Sequence, residues 1–442
     1  MRRFLISQLI LWKKSKHRKP LVLKGVRQVG KTWLLKEFGK QHYENTAYFN
    51  FEEQGELKQY FETTKDIQRI LQNLSLINGA AIFPGRTLII FDEIQECNAA
   101  LNTLKYFCEI APDYHIVCAG SLLGVKVSTP ASFPVGKVEF LTVHPMTFTE
   151  FLWALGEEKL IQYVDSIDVL EPVPDIFFNQ LHEKLKMYFI TGGMPESVLA
   201  WVKEGDVSRV QKILRDILSA YELDFLKHAQ TKDIAKLGLV WLSIPSQLSR
   251  ENKKFMFGAV REGGRAREYE DALTWLCDAG LGYKIYRNRK PSLPLSAYDH
   301  LDAFKLYAVD VGLLRRLAFL DPVSFNEGNR LFSEFKGALS ENYILQCLVA
   351  QYEVMPRYWS SGATAEVDFI IQRGNDIIPI EVKSDENVRG KSLSLYNQKY
   401  VPPIRVRFSL KNLKRDENLI NIPLFLSDHL DKFIKLATYG KK

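Results

Sequence analysis

The stretch Gly25-Val26-Arg27-Gln28-Val29-Gly30-Lys31-Thr32 decides the fold of the first third of this chain. It matches the pattern G-x-x-x-x-G-K-[S/T] in full, and it lies between an apolar run, Leu21–Leu23, and a helix-like segment, Trp33–Phe38. A glycine-containing turn that leads from a strand into a helix directs several backbone N–H groups and the positive end of the helix dipole toward one point. The sequence therefore predicts a phosphate-binding loop (P-loop) over residues 25–32.

The side chains at the end of this loop fit a nucleoside triphosphate bound with Mg²⁺. Lys31 can neutralise the β- and γ-phosphates, and the hydroxyl of Thr32 can ligate Mg²⁺. The rest of the loop is expected to contact the phosphates through its backbone, at Gly25, Arg27, Gln28, Val29 and Gly30.

Two further strand ends are predicted to complete the site. The buried run Leu88–Phe91 is followed by Asp92, expected to hold Mg²⁺ through its water shell, and by Glu93, expected to orient and polarise the attacking water. The next apolar run, His115–Ala119, leads to Ser121. Ser121 is either a contact to the γ-phosphate or the water, or a residue that only forms the turn.

Strand-like and helix-like segments alternate through this region, which predicts an α/β fold with a parallel sheet covered on both faces. The expected strands are Leu21–Leu23, Ala47–Phe51, Leu88–Phe91 and His115–Ala119. A helix over Ala99–Ile110 has an apolar face made of Leu101, Leu104, Phe107 and Cys108.

Five motifs make the chain similar to a prokaryotic family of AAA+ ATPases that carry a C-terminal DUF4143-type domain. They are GVRQVGKT (25–32), LIIFDEIQE (88–96), CAGSLLG (118–124), HPMTFTEFL (144–152) and TGGMPESV (191–198). The resemblance covers nearly the whole chain. It implies an AAA+ core, ATP as the nucleotide and ATP hydrolysis as the reaction.

One position departs from the pattern of that family. Where such proteins often have Gly-Arg, this chain has Gly136-Lys137, and a lysine lacks the planar fork with which arginine binds phosphate oxygens. If that position supplies a trans-acting finger, hydrolysis is expected to be slow. Arg27 and Arg86 are alternative fingers, and a ring-shaped homo-oligomer remains open.

Acidic residues and a lysine recur in the last third of the chain. Glu341 lies in a predicted helix, Glu366 and Asp368 lie in one predicted strand, and Glu381 and Lys383 end the next. A hairpin can bring two such carboxylates to one divalent cation, beside a lysine that stabilises negative charge.

This arrangement resembles the PD-(D/E)XK nuclease fold. The resemblance implies that Asp368 and Glu381 bind the metal, that Glu341 is an auxiliary acid and that Lys383 is catalytic. Alternating, half-buried strands of an inert domain are the competing interpretation.

The segment before these acids resembles a winged helix. A helix over 268–279 is followed by a predicted hairpin with basic residues, and further arginines precede the helix. Such side chains are expected to contact DNA phosphates, although a hairpin that only packs against a neighbouring domain fits the same pattern. The basic residues are Arg261, Arg265, Arg267, Lys284, Arg287, Arg289 and Lys290.

Together these features predict four domains: an AAA+ core (1–150), a helical lid (151–230), a winged helix (231–325) and a nuclease-like α/β domain (326–442). The expected function is an ATPase that couples hydrolysis to action on DNA, with metal-dependent nuclease activity as an open addition. The alternative is an ATP-dependent conformational switch that binds a protein partner through an inert C-terminal domain.

Composition restricts the class of protein only weakly. The 442 residues carry a net charge of +7, which permits a nucleic-acid partner without requiring one. The five cysteines form no C-x-x-C pair, so reduced thiols are expected rather than a zinc site or disulfides. The basic, apolar N-terminus is interpreted as an amphipathic helix, no apolar run reaches membrane-spanning length, and a cytoplasmic protein is expected.

Overall fold

The structure is a computed structural model, and it describes residues 1–120, 134, 136–229, 231–322, 330–362, 365–384 and 390–439. Ser121 lies outside the described residues. The chain divides into two compact units. The N-terminal unit comprises residues 2–144 and 278–281, and the C-terminal unit comprises residue 1, residues 145–277 and residues 282–442.

A parallel five-stranded sheet forms the centre of the N-terminal unit, with strand order β2-β3-β4-β1-β5. Its strands are β1 (Leu21–Lys24), β2 (Asn45–Asn50), β3 (Thr87–Asp92), β4 (His115–Ala119) and β5 (Glu139–Thr142). The helices of this unit are α1 (Leu5–Lys14), α2 (Lys31–His42), α3 (Leu57–Glu62), α4 (Ile67–Asn78) and α5 (Asn98–Ile110).

The α/β fold of this unit follows from its apolar strands and amphipathic helices. All six residues of β3 and all five of β4 are buried, as expected for strands covered on both faces. In α5 the predicted apolar face is confirmed at Leu101, Leu104 and Phe107, which join the core cluster, whereas Cys108 is only half-buried.

Helices make up the first half of the C-terminal unit. A long helix spans Thr231–Leu248, although Gly238 and Pro245, two residue types that usually interrupt helices, lie inside it. The helices of residues 145–439 are α6 (Phe148–Ala154), α7 (Glu158–Ser166), α8 (Asp175–Thr191), α9 (Pro195–Glu204), α10 (Val207–His228), α11 (Thr231–Leu248), α12 (Phe257–Val260), α13 (Ala266–Asp278), α14 (Val311–Leu317), α15 (Arg330–Gln351), α16 (Lys391–Tyr400) and α17 (Leu430–Tyr439).

A mixed eight-stranded sheet, with order β12-β13-β11-β10-β9-β8-β6-β7, forms the rest of this unit. Its strands are β6 (Gly282–Asn288), β7 (Asp299–Ala308), β8 (Arg357–Ser360), β9 (Glu366–Arg373), β10 (Asp376–Val382), β11 (Arg405–Ser409), β12 (Lys414–Asp416) and β13 (Leu419–Pro423).

The hairpin that the sequence assigned to a wing belongs to this same sheet. β6 pairs antiparallel with β7 and parallel with β8, where Arg287 is opposite Tyr358. The hairpin is thereby joined by backbone hydrogen bonds to the strands of the predicted nuclease-like domain. A separate winged helix and a nuclease fold are not confirmed, and the four domain boundaries remain predictions.

Two motifs of the family resemblance make structural contacts in the C-terminal unit. In TGGMPESV, Gly192 has φ +65°, and a Cβ there would lie 2.1 Å from Oδ1 of Asp310. The N–H of Gly193 donates to Oδ2 of Asp310 at 2.7 Å. In HPMTFTEFL, Thr147 and Glu150 form a reciprocal capping box at the start of α6. These contacts position the helices of the unit.

Candidate nucleotide-binding site

The P-loop backbone adopts a conformation that its glycines make possible. Gly25, Gln28 and Gly30 have φ values of +141°, +64° and +93°. A Cβ on Gly25 would lie 2.4 Å from the carbonyl oxygen of Val143, so this close approach of two backbone segments requires glycine. The loop leads from β1 directly into α2, as the sequence predicted.

Lys31 lies inside the loop. Its side chain is 7% exposed, and its Nζ donates to the carbonyl oxygens of Gly25 and Val26, both at 2.8 Å. Gly30 gives α2 no capping side chain, so the positive end of this 12-residue helix favours an anion beside the ammonium group. The loop therefore presents a fixed cation and a helix N-terminus together.

Thr32 and Asp92, the predicted Mg²⁺ ligands, lie in contact. The Thr32 hydroxyl donates to Oδ2 of Asp92 at 2.7 Å, and Asp92 is 3% exposed. A hydroxyl and a carboxylate beside a triphosphate are the hard oxygen ligands that Mg²⁺ uses, with waters completing the octahedron. The residues present therefore fit a Mg²⁺ ion bound with the nucleotide.

Glu93 follows β3 in a left-handed backbone conformation, with φ +47°. This conformation is costly for a non-glycine residue, and such strain often marks functional positions. The Gln95 side chain donates from Nε2 to Oε2 of Glu93, and the Glu93 N–H donates to Oδ1 of Asp92 at 3.1 Å. Glu93 is thereby held at the end of the strand, where the sequence predicted a water-activating carboxylate.

Tyr48 belongs to this site although the sequence did not identify it. Its hydroxyl donates to Oδ2 of Asp92 at 2.8 Å. Burial and this hydrogen bond raise the pKa of Tyr48, so the hydroxyl remains a donor at neutral pH. Asn50, two residues along β2, donates to the Tyr48 hydroxyl at 3.5 Å and lies opposite Asp92 in the sheet register. The only signal in the sequence was polar residues at alternate positions of a predicted strand.

Two of the three predicted finger positions, Lys137 and Arg86, make ordinary surface contacts. Lys137 pairs with Glu109 at 2.8 Å, and Arg86 pairs with Glu44 at 3.4 Å. These exposed pairs are weak and leave both cations able to exchange partners. The identity of the finger stays a prediction.

Comparison with protein-family models indicates the domain type of the N-terminal unit. A family model described as an AAA domain matches residues 17–152. The chain contains an AAA domain. The match spans the P-loop, Asp92 and Glu93. Two domains of unknown function match further along the chain, DUF8612 over residues 182–324 and DUF4143 over residues 336–425. This order of domains supports the AAA+ family that the motifs indicated.

Several solved structures are similar to the chain. The Walker-type ATPase PABY2304 of Pyrococcus abyssi is 15% identical, with a TM-score of 0.42 over 72% of this chain and 95% of that chain. The Aeropyrum pernix Orc1 protein in complex with DNA is 13% identical, with a TM-score of 0.26 over 73% and 92%. Thermotoga maritima RuvB is 16% identical, with a TM-score of 0.29 over 65% and 89%.

These likenesses are too distant to support a function for this chain. No curated protein matches the sequence. Among the described residues, no helix has the length and apolar character that crossing a bilayer requires.

The predicted nuclease acids lie in the C-terminal unit, and each has a partner there. Glu341 accepts from Nζ of Lys253, and from the Tyr307 hydroxyl at 3.1 Å. Asp368 accepts from the N–H of Val382 at 2.8 Å.

Glu381 is in contact with two cations. It lies 3.2 Å from Nζ of Lys383 and 3.4 Å from Nε of Arg407. Lys383 is therefore beside its predicted partner acid, and the Glu381 carboxylate is already neutralised.

Burial and neighbouring charges alter the acidity of this cluster. Burial, together with the nearby Glu341 carboxylate, raises the pKa of Asp368 to about 7. Burial lowers the pKa of the Lys305 ammonium group, but the Glu366, Glu341 and Asp368 carboxylates outweigh that effect and raise it overall. Lys305 is therefore charged at neutral pH.

The side chains of this cluster do not fit a bound metal ion. In the ranges that the structure describes, no three His, Cys, Asp or Glu residues are placed to ligate one metal. Glu341, Asp368 and Glu366 lie near one another, but Lys253 and Lys305 lie among them, and Lys383 and Arg407 flank Glu381. The roles predicted for Asp368, Glu381, Glu341 and Lys383 in metal-dependent cleavage stay predictions.

Proposed function

We propose that this chain is an ATPase whose AAA domain binds ATP with Mg²⁺ and hydrolyses it to ADP and phosphate. The observation that carries the proposal is the contact between Thr32 and Asp92 beside the P-loop lysine, Lys31. A phosphate-binding loop alone accounts for anion binding. A loop with a hydroxyl–carboxylate pair and a following glutamate accounts for phosphoryl transfer to water.

Each residue has a distinct part in the proposed reaction. Lys31 and the N-terminus of α2 bind the triphosphate and offset its charge. Thr32 and Asp92 would hold Mg²⁺, and the ion would supply positive charge next to the phosphate oxygens. Glu93 orients a water toward the γ-phosphate and accepts its proton. Ser121 is proposed to contact the same phosphate or water.

Nucleotide binding is tested by titrating the full-length protein with ATP and Mg²⁺ in a calorimeter. Lys31→Ala should abolish detectable binding, because it removes the cation that faces the phosphates. The matched control is Lys40→Ala, an exposed lysine on the same helix. Unchanged affinity in Lys31→Ala would overturn the assignment of the site.

We further propose that ATP turnover is coupled to contact with DNA through the C-terminal unit. Exposed arginines lie before α13, in its first turn and after β6, and in the described part of the chain they form no ion pairs with carboxylates. Unpaired surface arginines bind phosphates without reading base sequence. They are Arg261, Arg265, Arg267 and Arg289.

Salt dependence of DNA binding tests this coupling. Arg265→Glu/Arg267→Glu should weaken binding to a fluorescent duplex and should lower the slope of log affinity against log salt by about 2. The control Lys65→Glu/Arg69→Glu makes the same charge change on exposed residues of the N-terminal unit. Equal loss in both double variants would argue against a specific DNA surface.

The second candidate is a nucleotide switch that presents a surface to a protein partner. The pairing of the C-terminal acids with cations favours it, because an inert C-terminal domain needs no free carboxylates. The two candidates differ in one readout. DNA should accelerate ATP turnover in the first and leave it unchanged in the second.

A further inference from the structure

One lysine lies at the centre of the C-terminal acidic cluster. Lys305, on β7, is 1% exposed, and its Nζ is 2.5 Å from Oε1 of Glu366. Glu341 and Asp368 are also within electrostatic reach of this ammonium group. A single buried cation is therefore shared by three carboxylates that come from β9 and α15.

The strand register explains why Lys305 points into this cluster. Lys305 and Tyr307 are two residues apart on β7, so their side chains project from the same face of the sheet. The Tyr307 hydroxyl donates to Oε2 of Glu341. The ammonium group of Lys305 is held by the charge of these carboxylates, most directly by Glu366, much as a bound cation would be.

The remaining acids of the region have cations of their own. Lys253 pairs with Glu341, and Lys383 and Arg407 pair with Glu381. Glu381 is also closely packed, because a Cβ on Gly390 would lie 2.4 Å from its carboxylate. Four carboxylates (Glu341, Glu366, Asp368, Glu381) are thus matched by four cations (Lys253, Lys305, Lys383, Arg407).

A divalent cation needs an excess of negative charge and several oxygen atoms that converge on it. A cluster whose carboxylates are all matched by cations offers no such excess, and the raised pKa of Asp368, about 7, lowers its negative charge further at neutral pH. A metal ion placed among Glu341, Glu366 and Asp368 would also repel the buried ammonium group of Lys305, which has no solvent to enter. Metal and lysine therefore compete for one position.

We propose that the ammonium group of Lys305 occupies the cation position of this acidic cluster, so that the cluster binds no divalent metal ion and cleaves no phosphodiester. Lys305 is a built-in counter-ion that joins β7, β9 and α15. The proposal does not depend on the ATPase activity of the N-terminal unit, and its test uses no nucleotide.

The test measures Mn²⁺ binding to the nucleotide-free, full-length protein by electron paramagnetic resonance. The wild-type protein and Asp368→Asn should bind equal amounts, since the cluster takes no metal. Lys305→Met should bind about one additional Mn²⁺ per chain, because it leaves three carboxylates facing only Lys253. Lys305→Met/Asp368→Asn should lose that ion, and Lys305→Arg, which keeps the positive charge, should not gain it.

Two outcomes would overturn the proposal. One is Mn²⁺ binding, or Mn²⁺-dependent cleavage of plasmid DNA, that the wild-type protein has and Asp368→Asn lacks. The other is a Lys305→Met protein that keeps its circular dichroism spectrum and binds no additional ion. If Lys305→Met fails to fold, the comparison of the wild-type protein with Asp368→Asn still decides the question.

Discussion

Oδ2 of Asp92 accepts two hydrogen bonds, one from Thr32 and one from Tyr48. Thr32 lies in the P-loop and was recognisable from its motif, whereas Tyr48 comes from a neighbouring strand. Groups that orient a metal-binding carboxylate tune its affinity even when they do not touch the metal. Tyr48 is therefore expected to position Asp92.

Replacing Tyr48 with phenylalanine tests this positioning at the scale of one atom. Tyr48→Phe should raise the Mg²⁺ concentration that half-saturates ATP hydrolysis by about tenfold, because Oδ2 of Asp92 loses one of its two donors. Turnover at saturating Mg²⁺ should change much less. The measurement is a Mg²⁺ titration at constant ATP, with Tyr60→Phe, a partly buried tyrosine packed on the core, as control. Identical titrations for Tyr48→Phe and wild type would remove Tyr48 from the site.

At the scale of elements, the turn between β1 and α2 depends on close backbone approach. Gly25→Ala should reduce ATP affinity and lower the thermal midpoint of the protein, because the added Cβ meets the Val143 carbonyl and φ is +141°. Gly55→Ala is the matched control, since a Cβ there meets nothing within 4 Å. Calorimetric binding and thermal unfolding of both variants check the prediction. An effect of equal size in Gly55→Ala would contradict it.

The folding stability of the N-terminal unit should also depend on pH through a histidine in its central sheet. Burial, with the nearby Arg18 and Lys13, lowers the pKa of His115 on β4 to about 4, and the Tyr43 hydroxyl contacts its Nδ1 at 2.7 Å. The unfolded chain takes up this proton near pH 6.5, so the stability that neutral His115 gives is complete above pH 6.5 and is lost as pH falls toward 4.

His115→Gln should flatten this dependence, because glutamine keeps a polar group and does not titrate. Burial also lowers the pKa of His144 to about 4. The free energy of unfolding of the variant should therefore keep a residual slope against pH. Each histidine contributes up to about 1.4 kcal/mol per pH unit. Urea unfolding at several pH values between 7 and 4.5 measures the slope. Parallel curves for the variant and the wild-type protein would show that His115 does not titrate as described.

Helices and strands could be predicted from the sequence where the residues that define them are contiguous. The strands β1 to β4 could be predicted because each is a short apolar run between turns, and α5 could be predicted from the periodicity of its apolar residues. The long helix α11 could not, because tertiary packing keeps Gly238 and Pro245 helical. The pairing of β6 with β8 was also not readable, because strand order depends on contacts far apart in sequence.

The same distinction holds for the whole molecule. The AAA domain was recognisable because Gly25–Thr32 and Leu88–Glu93 carry their chemistry in contiguous residues. The acids of the C-terminal unit were also found, but Lys253 and Lys305, which neutralise two of them, lie in segments that no motif connects to Glu341 or Glu366. A sequence reveals a carboxylate more readily than it reveals what neutralises the carboxylate.

The most direct test of ATP hydrolysis by the AAA domain is phosphate release by the wild-type protein and Glu93→Gln at saturating ATP and Mg²⁺. The account predicts Mg²⁺-dependent turnover in the wild-type protein. It also predicts that Glu93→Gln keeps its ATP affinity and loses turnover by at least about 100-fold, because the base that accepts the proton of the water is gone. Turnover in Glu93→Gln equal to that of the wild-type protein, or ATP binding without any hydrolysis in the wild-type protein, would contradict it.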